Sequence, residues 1–225
     1  MTFVPDIIAT VDVVILTIRD GKLCVLLTRR ENAPFADALA LPGGFIRSGE
    51  DLDAEDAAYR VLRTKVGAVG LHIEQLQTFS GPLRDPRGYS LTVAYLALVP
   101  DSVVPDGAVI RPVDEVSDLA FDHDVILAAA VDRLRKKSSY SSAPAALLEE
   151  SFTLSDLYSA YRAVMGDVPD PSSFRRKVLA VGAIADTGAV RSGGRGKGRN
   201  AALYRLPDGA VRTFDITFKN GTKRA

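Results

Sequence analysis

The sequence predicts an α/β protein, a mixed β-sheet flanked by helices, with a second and smaller domain after it. In the first 142 residues, runs rich in β-branched residues alternate with amphipathic helical segments, the order expected of a mixed sheet covered by helices. Beyond a small polar segment at residues 138–144, two short helical patterns and a glycine-rich hairpin follow. We therefore expect one domain at residues 1–142 and another at residues 143–225.

The first domain begins with a predicted β-hairpin. Residues 9–18 and 22–28 are β-rich runs, and the Asp20-Gly21 pair between them is a strong signal for a tight turn. A helix is predicted at residues 52–65, because apolar side chains recur there at the spacing of one helical face.

The rest of this domain adds strands and a second helix. Strand character returns at residues 71–79 and 90–99. A helix is predicted at residues 122–136, where apolar residues form one stripe and basic residues at the end suit the helix dipole.

Two helices joined by a tight turn are predicted in the second domain. Thr153, followed by an acid three residues later, begins a helix that ends at Gly166. Asp170 as N-cap and Pro171 at the first helical position begin the next, for which Gly182 is a suitable end. This pattern is typical of a helix-turn-helix whose second helix is basic on its outer face.

A hairpin after these helices is predicted to be the wing of a winged-helix domain. Strands at residues 183–184, or slightly beyond, and at residues 201–206 flank the sequence RSGGRGKGRN. Its glycines permit close approach to phosphates, and its cations release counterions on binding. Taken alone, such a run is equally typical of a solvated flexible loop.

Charge is divided unevenly between the two domains. Residues 1–142 carry 15 basic and 20 acidic residues, whereas residues 143–225 carry 13 and 8. Residues 172–205 contain eight basic residues and one acid. A cluster of this kind favours a polyanionic partner such as double-stranded DNA.

Composition favours a protein of a reducing compartment with no membrane association. No run approaches the roughly 18 apolar residues that span a bilayer, and the first residues do not resemble a secretory leader. The single cysteine, Cys24, lies in an apolar run and is interpreted as core packing in a reducing compartment.

One motif carries most of the functional information. Residues 43–67 read GGFIRSGEDLDAEDAAYRVLRTKVG, preceded by Leu41 and Pro42. The segment resembles the Nudix box, in which Gly44, Glu50, Arg60, Leu62 and Gly67 are the matching positions. Residues 79–98, FSGPLRDPRGYSLTVAYLAL, resemble the arginine-containing loop and strand of the ADP-ribose-type members.

The carboxylates that give this family its chemistry are missing. Aligned on Arg60, the three helix positions that hold Mg²⁺ in the family carry Val61, Thr64 and Lys65, and the spacing from Glu50 to Arg60 is two residues too long. Mg²⁺ requires anionic oxygen ligands, whereas a lysine repels it and could replace its charge beside a diphosphate. We therefore expect no catalytic residue, no metal site and no required cofactor.

An enzyme remains the alternative from another class. Glu50, Asp53 or Asp56 could serve as displaced ligands in a Mg-dependent hydrolase of ADP-ribose or another nucleotide diphosphate. The acids could equally complement the helix dipole.

Both halves together resemble the Nudix-related transcriptional regulators of NAD metabolism. The resemblance implies a cytoplasmic repressor of NAD synthesis or salvage genes that ADP-ribose, or a related metabolite, releases from a palindromic operator. A palindrome requires a two-fold dimer, so we expect a homodimer. Corepression by the ligand, or a winged helix that binds protein, stays open.

Candidate ligand-binding residues combine arginines suited to diphosphates, glycines that allow close approach, and the lysine of the box. They are Arg29, Arg30, Gly43, Gly44, Arg47, Lys65, Arg84 and Arg87. Each arginine could instead form a surface salt bridge.

Candidate DNA-binding residues belong to the second basic helix and to the wing. Ser172, Ser173, Arg175 and Arg176 are the predicted base-reading residues, because a recognition helix presents its N-terminal half to base edges. The predicted phosphate-contacting cations are Lys177, Arg191, Arg195, Lys197 and Arg199.

Overall fold

The computed structural model describes residues 7–67, 73–192 and 200–218. The chain divides into two compact units, one made of residues up to Thr17 with Cys24–Asp132, the other of Ile18–Leu23 with residues from Arg133 onward. Since the division falls inside a helix, His123–Ser138, the domain limits 1–142 and 143–225 stay a prediction.

The first unit is built on a β-sheet. Its strands are β1 (Ile8–Arg19), β2 (Lys22–Arg29), β3 (Leu39–Ala40), β4 (Gly43–Phe45), β5 (Ile73–Gly81), β6 (Ser90–Leu98) and β7 (Val109–Pro112). The helices are α1 (Ala54–Val66) and α2 (His123–Ser138), with 3-10 turns at Asp101–Val103 and Val113–Glu115. None of the described helices is long and apolar enough to cross a membrane.

These strands form a mixed sheet, as predicted. Among the described residues the order is β3-β2-β1-β6-β5, with β4 added to β1 and β7 to β2. β1 is parallel to β6, while β4 pairs with β1 in the antiparallel sense and brings Gly43 opposite Asp12. The antiparallel pairs β2/β3, β2/β7 and β5/β6 complete the sheet.

Helix α1 packs on the sheet through one apolar face. Ala57, Ala58, Val61 and Leu62 are buried in a core that includes Val13 of β1. Asp53 caps the helix by accepting from the Asp56 amide at 2.9 Å, so the helix begins at Ala54 and not at residue 52 as predicted. The strands β3, β4 and β7 were not predicted, because two to four residues carry no readable periodicity.

The second unit contains two helices and a hairpin. They are α3 (Leu154–Met165), α4 (Pro171–Ala180), β8 (Ala185–Arg191) and β9 (Ala201–Arg205), with 3-10 turns at Ala143–Leu147 and Pro207–Gly209. A complete capping box joins Thr153 and Asp156 at the start of α3, and Asp170 caps α4 by accepting from two backbone amides. The winged-helix class is confirmed in this unit.

The predicted first strand of the wing is misplaced. Ala183 and Ile184 are buried before the strand, and β8 runs from Ala185 to Arg191. The error has a physical reason, since Gly188 and a register shift between Asp186 and Val190 interrupt the alternation that marks a strand.

A C-terminal segment, residues 212–218, packs along this unit. Backbone amides of Phe214 and Phe218 each donate to carbonyls of residues 139–140 at 2.7 Å. The Phe218 side chain is fully buried, with ring centroids 5.1 Å from Tyr161 and 5.5 Å from Phe174. Phe218 therefore completes the core beneath α3 and α4.

We predict that Phe218→Ala lowers the free energy of unfolding of this unit by about 3–5 kcal/mol, because it leaves a large cavity among aromatic rings. Urea denaturation of the whole chain measures the loss. Ile216→Ala, in the same segment but 38% exposed, is the matched control and costs no more than about 1 kcal/mol. Equal losses for the two variants would contradict the assignment of Phe218 to the core.

Candidate functional site

A cavity of about 310 Å³ opens on the first unit beside β1, β2 and β4. Seven of the eight predicted ligand-binding residues line it. They are Arg29, Arg30, Gly43, Gly44, Lys65, Arg84 and Arg87. The eighth, Arg47, does not line it, because its guanidinium pairs with Glu50 at 2.7 Å on the surface.

The close approach of β4 to β1 shapes this cavity. A Cβ added at Gly43 would overlap the Asp12 carboxylate and lie 2.8 Å from the Val11 carbonyl oxygen, so only glycine fits there. At Gly44 the added atom would lie 3.7 Å from the Val61 side chain, an ordinary contact. A side chain is therefore excluded at Gly43 but tolerated at Gly44, so the strand pairing requires glycine only at position 43.

The loop between β4 and α1 is held by a paired arginine. Arg60 donates two hydrogen bonds of 2.7 Å to Asp51 and one of 2.9 Å to the Phe45 carbonyl. Hydrogen bonds from the Arg60 side chain lower the pKa of Asp51 to about 2. Glu50, which occupies the glutamate position of the box in the sequence, pairs with Arg47 instead.

The helix face that would hold a metal in the family has another chemistry. Val61 is 3% exposed, and the Thr64 hydroxyl donates to the helix carbonyls of Arg60 and Val61 at 3.0 and 3.1 Å. Lys65 is exposed and lines the cavity. Two carboxylates considered as displaced ligands cap the helix: Asp53 accepts from the Asp56 amide, and Asp56 accepts from Leu52 N at 3.2 Å.

Two arginines of the cavity are already matched by carboxylates. Arg84 makes two bonds to Asp122, at 2.8 and 3.0 Å, and its side chain is only 8% exposed. Arg87 makes two bonds to Asp85, at 2.7 and 3.0 Å. Each guanidinium is therefore held in a fixed orientation.

The other cations of the cavity have no such partner among the described residues. Arg30 donates only to the carbonyl oxygens of Pro34 and Asn32, and its guanidinium lies 4.6 Å from the centroid of the Phe121 ring. Among the described residues, neither Arg29 nor Lys65 makes an ion pair either. Burial lowers the pKa of Arg30, and the nearby positive charge of Arg87 lowers it further. An anion between these cations would relieve that repulsion.

Sequence reasoning missed two buried polar residues of the cavity. Asp12 and His123 both line it, and they are 5% and 4% exposed. His123 accepts from the Leu41 amide through Nδ1 at 2.9 Å, and burial lowers its pKa. The one available signal was Asp12 itself, a charge in the apolar run VDVVILT; nothing in the sequence marked His123.

In the second unit, α4 exposes most of its predicted DNA-binding residues. Ser172, Arg175 and Arg176 are exposed, and Ser173 is half-buried. Within the part of the chain that is described, neither arginine makes a hydrogen bond or an ion pair. Lys177 instead donates to the Thr217 carbonyl at 3.2 Å.

The wing is described only in part. Arg191, at the end of β8, pairs at 2.8 Å with Asp156, the capping-box carboxylate of α3. Its guanidinium is therefore engaged within the protein, although its side chain is 53% exposed. Arg195, Lys197 and Arg199 lie outside the described residues.

Known proteins resemble both units. Residues 8–140 match the family model of the NUDIX domain, and residues 144–206 match that of the NrtR DNA-binding winged helix domain. The ADPR responsive transcriptional repressor NtrR of Acinetobacter baylyi is 32% identical over 223 residues, 95% of this chain and 86% of that protein. An ADP-ribose pyrophosphatase of Methanocaldococcus jannaschii is 32% identical over 114 residues, 48% of this chain and 65% of that enzyme.

Solved structures agree with these matches. Shewanella oneidensis NrtR, complexed with a 27mer DNA, is 35% identical and superposes with a TM-score of 0.85 over 94% of this chain and 99% of that one. The NUDIX domain of the same protein, complexed with ADP ribose, is 37% identical with a TM-score of 0.52, covering 58% of this chain and 90% of that one. The expected fold and family are confirmed, and the chain belongs to the NUDIX-domain family whose members carry an NrtR-type DNA-binding winged helix domain.

Proposed function

We propose that this protein is a transcriptional repressor whose NUDIX domain binds ADP-ribose, or a related NAD metabolite, without hydrolysing it. Its winged helix domain binds a palindromic operator near genes of NAD synthesis or salvage, and the bound metabolite releases the DNA. The protein acts in the cytoplasm, where bacterial DNA lies, as a homodimer. The repressor from Acinetobacter baylyi supports this proposal by its likeness over nearly the whole chain.

The observation that carries the proposal is the replacement of carboxylates by a cation at the cavity. The helix face holds buried Val61, a Thr64 hydroxyl satisfied by its own helix, and Lys65 facing the cavity. Mg²⁺ needs anionic oxygens to lie against a diphosphate, and among the described residues no three Asp, Glu, His or Cys side chains gather to hold a metal. Lys65 supplies positive charge to the diphosphate but cannot activate water as a metal does.

The remaining cations suit a diphosphate ligand. Arg29, Arg30 and Lys65 have no carboxylate partner in the part of the chain that is described, whereas Arg87 lies nearby and is held by Asp85. Guanidinium groups bind phosphate oxygens through two parallel N–H donors, which gives geometry as well as charge. The cavity thus favours binding of a nucleotide diphosphate over its cleavage.

The second unit supports DNA binding through α4. Arg175 and Arg176 project from the exposed face while Phe174 and Val178 anchor the buried face. A guanidinium without an internal partner is available to guanine O6 and N7 in the major groove. A two-fold dimer would place two such helices about 34 Å apart, one turn of DNA.

A Mg-dependent hydrolase of ADP-ribose is the second candidate. The likeness to the Methanocaldococcus jannaschii pyrophosphatase over the NUDIX domain favours it. The direction of the effect on DNA is a separate question, since a ligand that binds the DNA-competent state more tightly would act as a corepressor.

The central experiment is a gel shift on DNA from upstream of the genes that neighbour its own. We expect the protein to retard this DNA in a salt-dependent manner, and ADP-ribose, NAD or nicotinamide mononucleotide to release it. Tighter DNA binding in the presence of the metabolite would reverse the proposed direction. If the protein binds no DNA even at low salt, the proposal that it is a repressor is wrong.

We predict that ADP-ribose with Mg²⁺ yields no AMP, because the metal-binding carboxylates are missing, while calorimetry shows binding. Arg30→Gln should weaken this binding about tenfold or more, because a charged hydrogen bond to the diphosphate is lost. Arg111→Gln removes an equal charge from an exposed position on β7 and serves as control. Accumulation of AMP would establish the hydrolase instead.

We predict that Arg176→Ala weakens operator binding by about 1–3 kcal/mol, roughly 5- to 150-fold, through loss of a base contact. Fluorescence anisotropy measures the affinity, and circular dichroism checks that the fold is kept. Arg162→Ala removes an exposed cation from α3 and should change affinity far less. If both variants lose affinity equally, the effect is one of net charge and the base-reading role of Arg176 is wrong.

A further inference from the structure

A buried carboxylate of the cavity, Asp12, has acceptor capacity that the described residues do not use. The Asp12 side chain is 8% exposed and lines the cavity. Its charge contacts are long, 3.4 Å to His123 Nε2 and 3.8 Å to an Arg84 nitrogen, and it accepts no hydrogen bond from any described residue. A carboxylate can accept about four hydrogen bonds, and burying one without partners is unfavourable.

The polar side chains around Asp12 have few N–H or O–H hydrogens left to donate to it. The Thr10 hydroxyl donates to the Leu91 carbonyl at 3.1 Å, and the Thr28 hydroxyl to the Ala40 carbonyl at 3.4 Å. His123 Nδ1 is occupied by the Leu41 amide, which leaves only its Nε2 hydrogen on the side of Asp12. We call these four residues, Thr10, Asp12, Thr28 and His123, the cavity floor; it offers mainly acceptors.

A set of cations that lines the same cavity has the opposite chemistry. Arg29, Arg30, Lys65 and Arg87, which we call the cationic rim, offer only donors and positive charge. A diphosphate suits the rim, but it has no hydrogens for the floor and would be repelled by Asp12. The floor therefore suits an uncharged group rich in O–H or N–H donors.

A purely structural role for Asp12 would be to neutralise its two cationic neighbours. Neither neighbour requires it. Arg84 already has a carboxylate partner in Asp122, with two bonds of 2.8 and 3.0 Å. Burial lowers the pKa of His123, which favours its uncharged form at neutral pH.

We infer that Asp12 accepts hydrogen bonds from the sugar hydroxyls of the nucleotide diphosphate whose phosphates lie on the cationic rim. The vicinal diol of a ribose presents two O–H donors side by side, which matches the two oxygens of one carboxylate. This inference rests on the proposed function, because it assigns a specificity-determining residue within the same ligand site. Asp12 selects ligands that carry an intact ribose diol.

The test compares Asp12→Asn with the unaltered full-length protein by calorimetry on ADP-ribose, ADP and 2′-deoxy-ADP. ADP lacks the terminal ribose of ADP-ribose. 2′-deoxy-ADP lacks, in addition, one hydroxyl of the ribose that carries adenine. In the unaltered protein we expect one of the two affinity ratios, ADP-ribose to ADP or ADP to 2′-deoxy-ADP, to be about ten- to hundredfold. Asp12→Asn should bring that ratio to within about threefold of unity, and which ratio collapses identifies the ribose.

Glu31→Gln is the matched control, since it also replaces a cavity-lining carboxylate by its amide but at an exposed position. It should leave both ratios unchanged. Equal weakening of all three ligands by Asp12→Asn, or affinity ratios that it does not alter, would overturn the inference without contradicting the proposed function. If the unaltered protein binds none of the three, the proposed function itself fails. Thermal unfolding checks each variant, and Asp12→Ser replaces Asp12→Asn should the latter not fold.

Discussion

The contact on which the ligand site depends is the passage of the Gly43 backbone against Asp12. Any side chain at Gly43 would overlap the Asp12 carboxylate, so β4 could not pair with β1 in the observed register. That pairing sets where the loop after β4 begins, and Arg60 then holds the loop to α1 through Asp51. The absent Cβ at Gly43 therefore permits the strand pairing beside which the cavity lies.

The cavity separates donors from acceptors. Cations from the end of β2, from α1 and from the loop before β6 lie at its exposed side, and Asp12 with His123 lies at its buried side. Positive charge thus lies along one side of the cavity, and the three helix positions that hold a metal in the family carry Val61, Thr64 and Lys65. Under the proposed function this scaffold recognises its ligand without cleaving it, because binding needs complementary charge whereas cleavage also needs an activated nucleophile.

The second unit gains its rigidity from capping and from aromatic packing. Asp156 caps α3 and also holds Arg191 of the wing, so the strand and the helix are oriented by the same carboxylate. Phe218 packs against Tyr161 and Phe174. It lies outside residues 144–206, the range that the winged helix family model matches. The exposed arginines of α4 are consequently carried on a helix that is fixed on its buried side.

The sequence by itself determined the mixed sheet, both helices of the second unit and the degenerate box, because periodicity, caps and motif spacing are local properties. It also indicated arginines and glycines that the structure places around one cavity. Only the tertiary structure decided that Arg47 lies outside the cavity, that Asp51 and not Glu50 pairs with Arg60, and that Asp12 faces the ligand space. Those outcomes depend on contacts between residues distant in sequence, such as Asp12 with His123, and no local pattern encodes them.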